Sequence, residues 1–215
     1  MVDSTAVTSS DVEKVLDEAG VSNPHVREYV TYWAGITGPA RVEVVNASDD
    51  ARLVAESLEA GELQPAGEGL YYSRSYFKDT ARSEERTIVA TSNPLDKGVY
   101  NNWHDGQEMT EAQLGRMRGQ SAGKTMYVVP YLMAPQGSPL EPYAAGVELT
   151  DNRPVVLHMI RMARVGVSYL DQLEDPAHFV RAVHVTGDLE NLGQGPPEDQ
   201  RYFVTVADQR TILHF

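Results

Sequence analysis

Gly123-Lys124-Thr125, at the end of the stretch RGQSAGKT (Arg118 to Thr125), is the triplet that closes a phosphate-binding loop. Such a loop needs a glycine, four intervening residues and then Gly-Lys-Ser/Thr, placed after a strand and opening a helix, so that backbone N–H groups and the helix N-terminus face the phosphate. Here Gly119 stands one residue too close to Gly123, and the order is inverted, because a helical pattern precedes the glycines and the strand-like run TMYVV follows them. The stretch therefore reads as a helix-to-strand turn. The six histidines, His25, His104, His158, His178, His184 and His214, form no His-Glu-x-x-His or other tight ligand spacing, and read as isolated surface or core residues. Cysteine is absent, which removes disulfides, thiolate metal sites and thiol catalysis together. No Gly-x-Ser-x-Gly marks a serine hydrolase.

The elements that position these residues follow from periodicity. Ser10 to Gly20 reads as a helix with Ser10 and Glu13 as a capping box, Val12, Val15, Leu16 and Ala19 on one face, and Gly20 as the stop. Asn23-Pro24 caps a second helix, with Val26, Tyr29, Val30 and Trp33 on its apolar stripe. Arg41 to Asn46 alternates as a strand, and Ser48 to Glu59 returns to helical spacing. The Pro/Gly-rich segment Gln64 to Gly69 breaks the pattern, and the tyrosine-rich Tyr71 to Phe77 has the irregularity of a loop near a site. Arg86 to Thr91 is a short strand, and Thr110 with Gln113 forms a capping box for a helix running towards Met117.

The apolar run TMYVVPYLM, Thr125 to Met133, is expected as a strand buried on both faces. Gly146 to Thr150 is strand, and Pro154 to Val165 an amphipathic helix that Asp151 or Asn152 would cap. Tyr169 to Leu173 and Pro176 to Ala182 read as further helix, before AVHVTG, a polar loop, and the strand-like runs YFVTVA and TILHF. A chain that stops on Ile212-Leu213-His214-Phe215, where a sheet would normally continue, is expected to be truncated.

At 215 residues with 41% hydrophobic content the chain suits one domain, 1–215, of mixed α/β class, a mixed sheet flanked by helices. Its net charge of −13 argues against nucleic acid and against an anionic membrane surface, so an anionic small substrate would need a few basic residues gathered in one cleft. The N-terminus has no basic start followed by an apolar run, and no stretch is long and apolar enough for a membrane helix, so a soluble, cytoplasmic protein is expected.

A longer pattern remains. The block GKTMYVVPYLMAPQGSPLEPYAAGVELTDNRPVVLHMIRMARVG, Gly123 to Gly166, resembles a hallmark segment of GTP-dependent phosphoenolpyruvate carboxykinases. DTARSEERTIVAT, Asp79 to Thr91, is similar to that family's segment carrying a substrate-binding arginine, and NNWHDGQEM is similar to a stretch after it. The likeness runs from about Tyr71 onward with the elements in the family's order. It implies the N-terminal, substrate-binding α/β lobe of an enzyme that converts oxaloacetate and GTP to phosphoenolpyruvate, GDP and CO2 with Mn2+ or Mg2+, in gluconeogenesis.

By matching positions, Arg82 is similar to the arginine that grips the substrate carboxylate, a task suited to the rigid fork of a guanidinium. Glu84 stands where the family has an acidic residue that positions that arginine or meets a mobile lid; otherwise it is a surface charge in the run Glu84-Glu85-Arg86. The family's phosphate loop, metal ligands and tyrosine-glycine-glycine substrate loop all lie beyond Phe215. The resemblance therefore places GTP and the metal outside this chain, gives no catalytic, cofactor or metal residue within it, and makes a C-terminal nucleotide-binding part its partner. The alternatives are a free-standing lobe that binds a small dicarboxylate or a partner subunit without kinase chemistry, and a small decarboxylase reusing the carboxylate grip.

Overall fold

The structure, a computed structural model, describes residues 6–73, 84–99, 102–187 and 197–215. Two helices open it, α1 (Ser9–Glu18) and α2 (Pro24–Thr37). The capping box of α1 is Thr8 with Asp11 rather than Ser10 with Glu13: the Thr8 hydroxyl accepts from the Asp11 N–H, and the Asp11 carboxylate accepts from the Thr8 N–H. Glu13 is used elsewhere, paired with Arg27 of α2. Helix α2 starts as its sequence predicts, with the Asn23 side chain accepting from the N–H groups of His25 and Val26, and it stops at Gly38 in the left-handed conformation (φ 65°).

Next come β1 (Arg41–Val44), α3 (Asp50–Glu59) and a small hairpin of β2 (Gln64–Gly67) and β3 (Leu70–Tyr72), where a loop was expected. A 3-10 turn at Glu84–Arg86 leads into β4 (Thr87–Thr91), followed by β5 (Trp103–Asp105) and α4 (Gly106–Met117). Helix α4 starts a turn before the expected capping box, because Asp105 caps it by accepting from the Gln107 and Glu108 N–H groups at 2.9 and 3.0 Å. Thr110 instead donates to the Gly106 carbonyl, and Gln113 is fully buried, donating to the Leu213 carbonyl at 3.1 Å.

The chain continues through β6 (Thr125–Leu132), the short α5 (Glu141–Ala144), β7 (Ala145–Thr150), α6 (Arg153–Met162) and β8 (Arg164–Val165). It ends with β9 (Val180–His184), β10 (Phe203–Val206) and β11 (Thr211–His214). The helices expected over Tyr169–Leu173 and Pro176–Ala182 are absent: a 3-10 turn at Val167–Tyr169 and further turns lead into β9. An apolar run this short is compatible with either period, and β9 is decided by pairing with β7 on one side and β11 on the other.

Nine strands form one mixed sheet in the order β1-β6-β7-β9-β11-β10-β4-β5, with β8 beside the far end of β6. Strands β7, β9 and β11 run one way, and β1, β6, β10, β4 and β5 the other. Pro130 is tolerated in β6 because β1 has ended before it; its carbonyl still accepts from the Gly166 N–H.

Helices α1, α2 and α4 cover one face, packing Leu16, Val30, Trp33 and Met117 on Val128, Leu149, Val183 and Leu213. Helices α3 and α6 cover the other face only over β1, β6 and β7, where Leu53, Val156 and Leu157 meet Tyr127, Val129 and Tyr131. The fold is thus the mixed sheet flanked by helices that the sequence implies.

Gly146 lies directly under the Tyr131 ring, where an added Cβ would come within 2.4 Å of Cζ. Gly146→Ala should destabilise the chain by about 1–3 kcal/mol in a denaturant melt, and Tyr131→Leu in the same chain should recover much of that loss. Equal, additive losses would show that the ring does not enforce the glycine.

Candidate functional site

One end of the sheet gathers the residues that can do chemistry. Glu43, Tyr127, Thr150, His184, His214, Phe203 and Thr87 are successive register partners across neighbouring strands, so they form one transverse row on the face that α3 and α6 cover only in part. Strands β6, β10 and β4 begin near this row while β7, β9 and β11 finish at it. The row is therefore flanked by chain reversals, the place where a scaffold holds ligand-facing loops.

At its centre the Thr150 hydroxyl sits 3.0 Å from Nδ1 of His184, whose ring packs on that of His214 with centroids 4.6 Å apart. Phe203 meets His214 edge-on at 5.3 Å. Burial, and secondarily the nearby Lys124 charge, pull His184 down to about 4, so it is a neutral imidazole near pH 7. The histidines were expected to be isolated; two of them are instead stacked, because strands remote in sequence pair in this register.

Just beyond the row, the Asp151 side chain is completely buried. It accepts from Lys124 Nζ at 3.1 Å, Ser121 Oγ at 3.2 Å, and the Thr186 N–H and hydroxyl, both at 2.9 Å. Lys124 also donates to the Gly187 carbonyl. The Gly-Lys-Thr lysine is thus committed to a buried carboxylate, and the stretch is the helix-to-strand turn its spacing implied. Of the two expected caps of α6, Asn152 serves, accepting from the Val155 N–H at 3.2 Å, while Asp151 is the counter-ion of Lys124.

Arg82 lies outside the described residues, as does the side chain of Glu84, whose backbone opens the 3-10 turn leading to Thr87. Thr87, which follows the 3-10 turn, is one end of the transverse row. Sequence reasoning took His184 for an isolated histidine and Asp151 for a helix cap, and gave Glu148 no role in a site. Glu148 lies one step up β7 from Thr150 on the same face, and burial pushes its carboxyl up to about 8. The available signal was the polar residues set into apolar strand runs, VELTD and AVHVT.

Among the described residues no group of three or more His, Asp or Glu is arranged to hold a metal ion. A polar cleft of about 450 Å³ lies at the opposite end of the sheet, lined by Ser92, Asp105, Gln107, Thr110, Glu111 and Gln209. Its acidic residues do not suit an anion, and Asp105 is committed to capping α4.

Residues 28–215 match the family described as the phosphoenolpyruvate carboxykinase N-terminal domain. Among curated proteins, the chain is 33% identical to a protein named phosphoenolpyruvate carboxykinase [GTP] from Renibacterium salmoninarum, over 94% of this chain and 35% of that protein. Proteins of the same name from Corynebacterium efficiens (32% identical, 97% and 36% covered) and Paenarthrobacter aurescens (32%, 94% and 34%) are similar to it as well. The chain spans about a third of the length of these relatives.

Lys124→Met leaves Asp151 buried without its cation and should cost about 1–3 kcal/mol, the lysine's partial exposure moderating the loss; it should leave any measured nucleotide affinity unchanged. A melt identical to the parent's would show that the pair is not structural. His184 generates a pH effect. Its folded value is depressed from 6.5 to about 4, so the unfolded chain binds more protons in that window, and the stability the neutral ring contributes is present above 6.5 and lost as pH falls towards 4. His184→Asn should flatten that acid loss, and superimposable stability profiles of the two chains would refute the assignment.

Proposed function

The chain belongs to the phosphoenolpyruvate carboxykinase family through its N-terminal domain, and on that footing we propose that it supplies the substrate-binding lobe of a GTP-dependent phosphoenolpyruvate carboxykinase, a cytoplasmic enzyme of gluconeogenesis. The observation carrying this reading is the family match over residues 28–215, with relatives named for that activity at 32–33% identity. The reaction joins decarboxylation of oxaloacetate to phosphoryl transfer from GTP onto the resulting enolate. Mn2+ or Mg2+ would supply charge stabilisation to the enolate and the transferring phosphoryl group. Among the described residues no cluster is arranged to hold that metal, and Lys124 is engaged by Asp151; the reading assigns metal and nucleotide to the part of the enzyme outside this chain.

Its own part is to bind and orient. Arg82, which precedes Thr87 in the sequence, would hold the carboxylate retained in phosphoenolpyruvate by two parallel charge-assisted hydrogen bonds, which fixes the position of the bond that breaks. Glu84 would hold the arginine in place or meet a closing lid. The row from Thr87 to Thr150 would form the floor of that site, with His184 uncharged and Lys124 paired with Asp151.

Replacing Arg82 by Ala should weaken phosphoenolpyruvate or oxaloacetate binding about 10- to 100-fold, the loss of one strong charge-assisted contact. Arg82→Lys should recover only part of it, since an ammonium cannot make the bidentate pair. Calorimetric affinities equal to the parent's would take Arg82 out of the site. With GTP and Mn2+ the 215-residue chain alone should form no phosphoenolpyruvate, and turnover would show that the rest of the enzyme is dispensable.

A further inference from the structure

We draw no further inference here: the strongest candidate, the polar cleft lined by Ser92, Asp105, Gln107, Thr110, Glu111 and Gln209 at the N-terminus of α4, carries nothing, because Asp105 is committed to the Gln107 and Glu108 N–H groups, Gln107 to Glu111 and Thr110 to the Gly106 carbonyl, and nothing in the structure points to a ligand there.

Discussion

The end of the sheet where the chemistry sits depends on one buried carboxylate. Asp151 has no exposed side-chain surface, yet it accepts from groups on two other parts of the chain: Ser121 and Lys124 in the turn before β6, and Thr186 just after β9. Taking a carboxylate out of water costs several kcal/mol unless a cation and several donors repay it, and here both kinds of partner are present. Because those partners come from the turns bordering β6, β7 and β9, the cost can be met only when all three strands are in register. The network therefore specifies the register that aligns Thr150, His184 and His214, and a slip of one residue would send each to the opposite face.

Where structure is set by neighbours in sequence, the chain could be read directly. The Asn23-Pro24 start of α2, the start of α6 at Asp151 or Asn152 and the short strand β4 are all decided within a turn or two. Where a distant partner decides, local reading failed in a regular way. Thr110 and Gln113 have the spacing of a capping box, but Asp105 reaches the free N–H groups first and Gln113 is drawn under β11. The run from Pro176 to Ala182 satisfies a helical period, but its final residues pair between two parallel strands. Spacing alone rejected the Gly-Lys-Thr stretch as a phosphate loop. Spacing could not show that its lysine would find Asp151, a partner many residues away.

The candidate site divides in the same manner. No pattern in composition or periodicity singles out Arg82 from the other surface arginines, and only the family resemblance assigns it a carboxylate. The transverse row could not be read at all, because His184 and His214 lie on strands separated by a long connection and meet only through the pairing of β9 with β11. A polar residue inside an apolar strand run is a usable signal that something non-local must satisfy it. His184 and Asp151 follow that rule within this chain, while Glu148 has no hydrogen-bond or ion-pair partner among the described residues.

This unequal treatment of three buried titratable groups bears on how the lobe works. A protein of net charge −13 repels the dianion it is proposed to bind, so attraction must be local and undiluted. Burial holds His184 neutral and Asp151 cancels Lys124, which keeps stray charge away from the floor of the site. Under the proposed function, a free positive charge near that floor would compete with Arg82 for the substrate carboxylate. Burial raises the Glu148 carboxyl to about 8, so near pH 7 it too adds little charge to this end of the sheet.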